Sequence, residues 1–313
     1  MEKPSFDQSG NRSEQPSRME HISEAEQEAF DLLSEKHKEL AIKLDPEKFS
    51  DEYRPEDIEL DKEAVERKRS KMVGLESVIY KRAQLLEAIL AEQIELSDWF
   101  GSDVMTIIPS EYDDFFNAID LVAEFEKEET FQYMAAGIDV TSSAHPVKKK
   151  LDTIKSHIQD GSLTKMKYFQ SERNTTQKKL ENVPQFVIGV DPRTIHELAS
   201  LWLTVHKARI IDDSLNKDEI EDLRQKAKEA QVKLAKHRAQ VLILKQLQAQ
   251  LRKFGEFAKK KNLPDIETKF VHLLVIIDDI LATKKISVKE ERDNDDDDVY
   301  RALMKELDIF LSD

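Results

Sequence analysis

The chain contains no cysteine among its 313 residues, which excludes disulfides and thiolate metal sites and fits a reducing compartment. Only seven glycines are present, and five lie between Gly74 and Gly189, so turns and any β-sheet are expected in the middle of the chain. No apolar run reaches the roughly 18–20 residues of a membrane span. We therefore expect a cytoplasmic protein with no membrane contact.

Basic residues are outnumbered, with 48 lysines and arginines against 63 aspartates and glutamates and a net charge of −15. Residues 1–61 carry 8 bases and 18 acids, whereas residues 141–181 carry nine bases and four acids. Tight non-specific binding of nucleic acid needs a broad positive footprint. The net charge argues against such binding, whereas the bases of residues 141–181 are consistent with a local basic surface in the middle of the chain.

Hydrophobic periodicity and breaker residues divide the chain into four parts. We expect a disordered tail over 1–20, a helix and acidic linker over 21–61, a core over 62–211 and a helical region over 212–313. Within the core, the pattern predicts a helix at 62–98, strands near 103–108, 116–125 and 131–141, a helix from Pro146, strands near 164–169 and 184–190, and a helix near 194–210. This order predicts an α/β or α+β fold, in which helices flank a mixed sheet and long helical extensions lie on both sides of the core.

Two similar apolar segments, residues 117–122 and 136–141, each contain one aspartate, Asp120 and Asp139. An aspartate is costly to bury in apolar surroundings unless it binds a partner. A hairpin with its loop at 127–130 would make the two aspartates diagonal neighbours, with Asp120 opposite Gly137, about 7–8 Å apart at the backbone. At that spacing two carboxylates can share a cation. Turn capping, or exposure on an edge strand, is the alternative.

Three lysines, Lys148, Lys149 and Lys150, fall in the first turn of the helix that begins at Pro146. The helix dipole disfavours cations there by about 0.3–1 kcal/mol each. A phosphate site beside the aspartates would account for them, and a solvated lysine face is the alternative. Asp114, in the turn expected before the second strand, is a further candidate metal ligand.

This order of elements, with acids on the second and third strands, resembles the PD-(D/E)XK, or restriction-endonuclease-like, nuclease superfamily. Residues 117–122 look like its first motif, and residues 138–141 occupy the place of its second. The resemblance implies a Mg²⁺-dependent hydrolase of phosphodiester bonds in DNA or RNA, with Asp120 and Asp139 as metal ligands. It also implies a further ligand on the preceding helix, where Glu76 and Glu87 are the candidates.

The sequence departs from the family at Thr141, which stands where the family has a lysine that orients the attacking water. Threonine cannot supply a positive charge. A lysine of the next helix, Lys148, Lys150 or Lys155, would have to supply it, and otherwise the site has lost catalysis. The alternative function is therefore a catalytically inactive nuclease-fold protein that binds a partner through its helical arm.

The C-terminal third has apolar residues at alternating spacings of three and four from Ile220 to Leu244, followed by a second apolar helix at about 265–284. This pattern predicts an antiparallel helical hairpin packed on the core or a dimerising coiled coil. Residues 216–284 are thus the expected interface for a second copy or another protein. The acidic run Asp293–Asp298 is expected to be a solvated linker, with Ca²⁺ binding as the alternative.

Overall fold

The structure is a computed structural model that describes residues 21–72, 77–127, 132–210 and 216–312. The helices in these ranges are α1 (Glu24–Leu40), α2 (Pro55–Met72), α3 (Val78–Ser97), α4 (Glu111–Asn117), α5 (Val147–Gln159), α6 (Pro192–Lys207), α7 (Lys217–Ala235), α8 (Ala239–Lys260), α9 (Pro264–Thr283), α10 (Val288–Asp295) and α11 (Asp298–Asp308). The strands are β1 (Val104–Ile107), β2 (Leu121–Lys127), β3 (Gln132–Thr141), β4 (Thr164–Met166), β5 (Leu180–Val183) and β6 (Gln185–Gly189). Helices surround a small mixed sheet, which confirms the α+β class. The tail predicted at 1–20 lies outside the described residues.

The main sheet has the strand order β1-β2-β3-β6, and β4 pairs separately with β5. The first three strands are antiparallel, and β6 runs parallel to β3 after the crossover through α5. At the end of this parallel pair, a Cβ atom added to Gly189 would lie 2.1 Å from the carbonyl oxygen of Thr141. Only glycine allows the two backbones to approach this closely.

The β2–β3 hairpin has a different register from the predicted one. Val122, not Asp120, pairs with Gly137, and the last pair at this end joins Leu121 to Ile138. Extending that register by one residue places Asp120 opposite Asp139. A shift of two residues leaves the same side chains on each face of a strand, so the apolar alternation could not distinguish the two pairings.

The turn expected at 109–114 and the start of the strand expected near 116 are replaced by the short helix α4 (Glu111–Asn117). Ser110 caps it by accepting a hydrogen bond from the backbone N–H of Asp113, and Ala118 ends it with a left-handed φ of 52°. The expected helix at 62–98 is two helices, α2 and α3, and α2 begins at Pro55 inside the expected linker. Local capping explains where α4 and α2 begin, since a serine N-cap and a proline in the first turn each start a helix.

One hydrophobic core joins the sheet to α1, α3, α5, α6, α7, α8, α9 and α11. The predicted heptad helix is interrupted between α7 and α8, and the seam residues Leu234, Val241 and Leu244 are buried within the chain. Asp297, in the acidic run, is buried as the N-cap of α11 and also accepts a hydrogen bond from the Asp191 N–H at 2.7 Å. No helix among the described residues is long and apolar enough to cross a membrane.

Two glutamines of α8 cover the open edge of β6. The side-chain amide of Gln246 accepts from the Gly189 N–H at 2.9 Å and donates to the Gly189 carbonyl at 2.7 Å. Gln250 makes the same two bonds to Val187, at 2.9 and 2.7 Å. Both glutamines are fully buried, so these amides satisfy backbone groups that water cannot reach.

Removing one of these amides should lower stability measurably. Gln250→Ala leaves the N–H and carbonyl of Val187 without their partner, and one unsatisfied buried group costs about 1–3 kcal/mol. We expect the free energy of unfolding in urea to fall by at least that amount. Gln248→Ala is the matched control on the same helix: it removes a partly buried bond to Asp278 of α9 and should cost less. Equal losses in the two variants would contradict this role of Gln250.

Candidate functional site

Five elements bring four carboxyl groups and one lysine together at the end of the β2–β3 hairpin. The acids are Glu87 of α3, Asp114 of α4, Asp120 just before β2 and Asp139 of β3, and the lysine is Lys150 of α5. We call these five residues the acid cluster. The sheet register and the helix ends that fix α4 and α5 therefore determine its geometry.

Asp120 lies at the centre of the acid cluster. Its backbone N–H donates to the Ile138 carbonyl at 2.8 Å, and its Oδ2 accepts from the Val140 N–H at 2.6 Å. Its carboxyl lies close enough to the carboxyls of Asp114 and Asp139 for its charge to raise the pKa of both, in addition to the effect of their burial. Like charges at short range repel, so each of these acids gives up its proton less readily. The cluster thus needs protons or a cation to hold its acids this close.

Asp139 is 6% exposed, and its Oδ1 accepts a hydrogen bond from the Lys150 amine. The same amine donates to the Val140 carbonyl at 3.0 Å. Burial and the neighbouring Asp120 charge raise the pKa of Asp139 to about 7, although the Lys150 charge opposes that rise. Burial lowers the pKa of Lys150, but the charges of Asp139 and Asp120 outweigh that effect and raise it overall. Lys150 is therefore charged at neutral pH.

Glu87 and Asp114 complete the acidic side of the site. Burial raises the pKa of each well above its usual range, and the charge of Asp120 adds to the rise. Glu87 Oε1 lies 2.5 Å from Nε2 of His37 on α1. Burial lowers the pKa of His37 to about 4, so its imidazole is neutral at pH 7. His37 thus holds Glu87 through a hydrogen bond without adding a positive charge.

The structure brings the predicted pair Asp120 and Asp139 together. Asp114, the further candidate metal ligand, lies beside them. Among the three candidate lysines, Lys150 reaches the pair. Lys148 pairs with Asp152 at 2.7 Å, and Lys155 donates to the Ser312 carbonyl at 2.7 Å, so both lie away from it. A rotation of about 100° per residue places Lys148 and Lys150 on opposite sides of α5.

The other predicted residues have different outcomes. Glu76 lies outside the described residues. Glu87 lies close enough to Asp120 for their charges to interact, and its role as a metal ligand stays a prediction. Thr141 is buried, and its hydroxyl donates to the Ser143 carbonyl at 3.0 Å in the turn after β3. His37 was not predicted, because its partner Glu87 is 50 residues away and no local spacing links them.

The acid cluster opens into a cleft of about 910 Å³, whose lining includes Glu87, Asp114 and Asp120. The remaining lining includes the cations Lys38, Lys43, Lys62 and Arg69, the acids Glu66 and Glu111, and the rings of Phe30, Tyr80 and Phe115. A concave site with perturbed acids at its base is the usual setting of a catalytic or binding centre.

Among the residues that the structure describes, no group of three or more histidine, aspartate or glutamate side chains is arranged so that it could hold a metal ion. Comparisons with protein-family models, curated proteins and solved structures found no match to this chain. Arguments about function therefore depend on the geometry of the acid cluster.

Proposed function

We propose that the protein is a Mg²⁺-dependent nuclease of the PD-(D/E)XK type that hydrolyses phosphodiester bonds in nucleic acid. The observation that carries this proposal is the position of Lys150, whose amine contacts Asp139 beside Asp120. It supplies from α5 the positive charge that Thr141 cannot supply from β3. The antiparallel β1–β2–β3 unit, followed by a helix and a parallel strand, supports the same assignment.

The donor set fits a magnesium ion. Mg²⁺ prefers oxygen ligands, keeps several of its waters and is usually bound through one or two carboxylates together with substrate phosphates. Asp120 and Asp139 would hold it, and a closed cage of three or more side chains is not required. Neutralising their charges would also remove the repulsion that raises the pKa of Asp139. When bound, the ion would lower the pKa of a coordinated water and offset charge on the phosphate.

The remaining roles would belong to side chains and backbone groups of the protein itself. Lys150 would place a positive charge next to the scissile phosphate, where charge develops during hydrolysis. His37 would orient Glu87, which lies close enough to Asp120 for their charges to interact. The Val140 N–H would keep Asp120 in place by donating to its Oδ2.

The second candidate function is a catalytically inactive binding protein. The net charge of −15 and the threonine at position 141 favour it. The helical arm offers a surface, because Val271 and Val275 on α9 are 46% and 47% exposed. This candidate predicts partner binding without turnover.

A cleavage assay separates the two functions. Single-stranded and duplex DNA and RNA, each labelled at one end, would be incubated with the protein in Mg²⁺ or in EDTA. The nuclease proposal expects Mg²⁺-dependent products that are absent in EDTA. If no probe is cleaved in either Mg²⁺ or EDTA, the result would favour the inactive binding protein.

Metal affinity should depend on pH through Asp139. Its pKa of about 7 means that a proton competes with the ion below neutral pH. Titration calorimetry with Mg²⁺ should show affinity falling by up to about tenfold for each pH unit below 7 and levelling off above it. Asp139→Asn should bind weakly with little pH dependence between 5.5 and 8.5. A wild-type affinity that is flat over this range would count against Asp139 as a ligand.

A further inference from the structure

Two helical walls enclose the cleft above the acid cluster. On one side lie α1, with Ser34 and Lys38 in the lining, and the segment Ala41–Leu44 that follows it. On the other side lies α2, with Val65 and Arg69 in the lining. The acids Glu87, Asp114 and Asp120 line the same cleft, a slot between the two helices.

Side-chain contacts fix the α1 wall to the core. The buried carboxylate of Glu26 pairs with Arg82 of α3 at 2.7 Å, and His37 bonds to Glu87 of the same helix. The backbone N–H of Ile42 donates to the Ile108 carbonyl at 3.1 Å, which ties the following segment to the end of β1. The wall is thus attached at both ends of α1 and beyond it.

The α2 wall is fixed in the same way. Asp61 accepts a hydrogen bond from the Tyr168 hydroxyl at 2.6 Å and another from the Lys167 amine. Further along α2, the Lys68 amine donates to the Phe115 carbonyl of α4. Because both walls are anchored, opening the slot would require these buried or partly buried contacts to break.

The size of the slot limits what can reach the acids. A cleft of about 910 Å³ matches the upper end of sites that enclose a drug-sized molecule, about 300–1,000 Å³, which is the scale of a few nucleotides. A DNA duplex is far larger, since its major groove alone is about 12 Å wide. The cleft volume accommodates a few unpaired nucleotides and is too small for both strands of a duplex.

The lining has the chemistry of a single-strand site. Proteins that bind unpaired strands combine cations along the backbone path with aromatic rings on which bases stack. Here the cations Lys38 and Lys43 line the same cleft as the rings of Phe30 and Tyr80. The other two lining cations are paired with acids: Lys62 with Glu59 at 2.7 Å, and Arg69 with Glu66 and Glu111.

We propose that the substrate is an unpaired nucleic-acid strand, either single-stranded DNA or RNA or the frayed end of a duplex, and that the two walls exclude intact duplex. This inference rests on the proposed function for cleavage, but its binding component can be tested without turnover.

The test compares one sequence in four forms: single-stranded DNA, single-stranded RNA and the two corresponding blunt duplexes. Binding of fluorescein-labelled 12-nucleotide probes would be followed by anisotropy in EDTA, and cleavage would be followed in Mg²⁺. We expect at least tenfold tighter binding and at least tenfold faster cleavage of a single strand than of its duplex. The DNA and RNA arms identify which strand is preferred.

A matched pair of variants tests the aromatic contribution. Phe30→Leu keeps an apolar side chain at the cleft but removes the ring, and should weaken single-strand binding by about tenfold. Phe116→Leu, at a 46% exposed ring outside the cleft lining, should leave binding unchanged. Melting temperatures would verify that both variants fold. Lys38→Ala in the cleft and Lys149→Ala outside it form the corresponding pair for the cations.

The outcomes separate this inference from the proposed function. Equal or tighter binding of duplex, or faster duplex cleavage, would overturn the single-strand proposal while leaving a nuclease in place. Preferential binding of single strands with no cleavage of any probe would support the single-strand site and refute the nuclease.

Discussion

Replacing Asp139 by asparagine is expected to lower Mg²⁺-dependent cleavage by about 10²–10⁴-fold, because the several kcal/mol that a bound ion contributes would be lost. Asparagine keeps the size of the side chain and its acceptor oxygen for Lys150. It removes one negative charge from a group of four acids, so the melting temperature in EDTA should stay unchanged or rise. End-label cleavage and thermal unfolding would measure the two effects.

The pH dependence of stability gives this prediction a second readout. The pKa of Asp139 in the folded protein, about 7, is raised above its ordinary value, so the protonated form is the one that folding favours. The stabilisation is therefore complete below about pH 4 and is lost as the pH rises toward 7. In EDTA, the stability of the wild type relative to Asp139→Asn should decrease across that window.

Asp152→Asn is the matched control for Asp139→Asn, since Asp152 is an exposed acid on α5 that pairs with Lys148. It should leave both cleavage and its pH profile unchanged. Wild-type cleavage by Asp139→Asn would remove the basis for the metal site.

Lys150→Met is expected to lower cleavage by about 10²–10³-fold, the usual loss when one preorganised group that stabilises transition-state charge is removed. Methionine retains most of the side-chain length, so packing around α5 should change little. Mg²⁺ binding should persist, because Asp120 and Asp139 remain. The pH at which Mg²⁺ affinity levels off should rise, because the Lys150 charge lowers the pKa of Asp139 and the variant lacks that charge. Cleavage rates and calorimetric titrations would separate the two effects.

Lys148→Met provides the comparison, because Lys148 lies two residues away on α5 and pairs with Asp152 outside the acid cluster. It should cleave at the wild-type rate. Equal losses in the two lysine variants would indicate a general effect of the α5 charge and would contradict a specific role for Lys150.

Local sequence was sufficient to predict part of the site. An acid within a short apolar strand is costly to bury, and that cost identified Asp120 and Asp139 as a pair. The predicted hairpin register was wrong by two residues. Asp120 and Asp139 are nevertheless neighbours on one face, since a shift of two residues leaves every side chain on its face. The helix after Asp139 was also predicted from Pro146 and its apolar stripe.

Other parts of the site depend on contacts between distant elements. The choice of Lys150 over Lys148 or Lys155 depends on how α5 is rotated against the sheet, which its packing decides. His37 and Glu87 lie on different helices, and their contact has no signature in either segment. Residues 109–114 contain the proline, serine and acids typical of a turn, but Ser110 caps a short helix there and so places Asp114 beside Asp120.

The backbone groups at the open edge of β6 are satisfied by the glutamine pair of α8, a helix that follows some sixty residues later in the chain. Four residues along a helix advance about 6 Å, close to the roughly 6.6 Å of two strand residues, so Gln246 and Gln250 match alternate residues of β6. A fragment ending near residue 210 would present β6 as an unpaired edge, the feature through which sheets associate between molecules. We expect such a fragment to self-associate, and the folding of β6 to await the synthesis of α8.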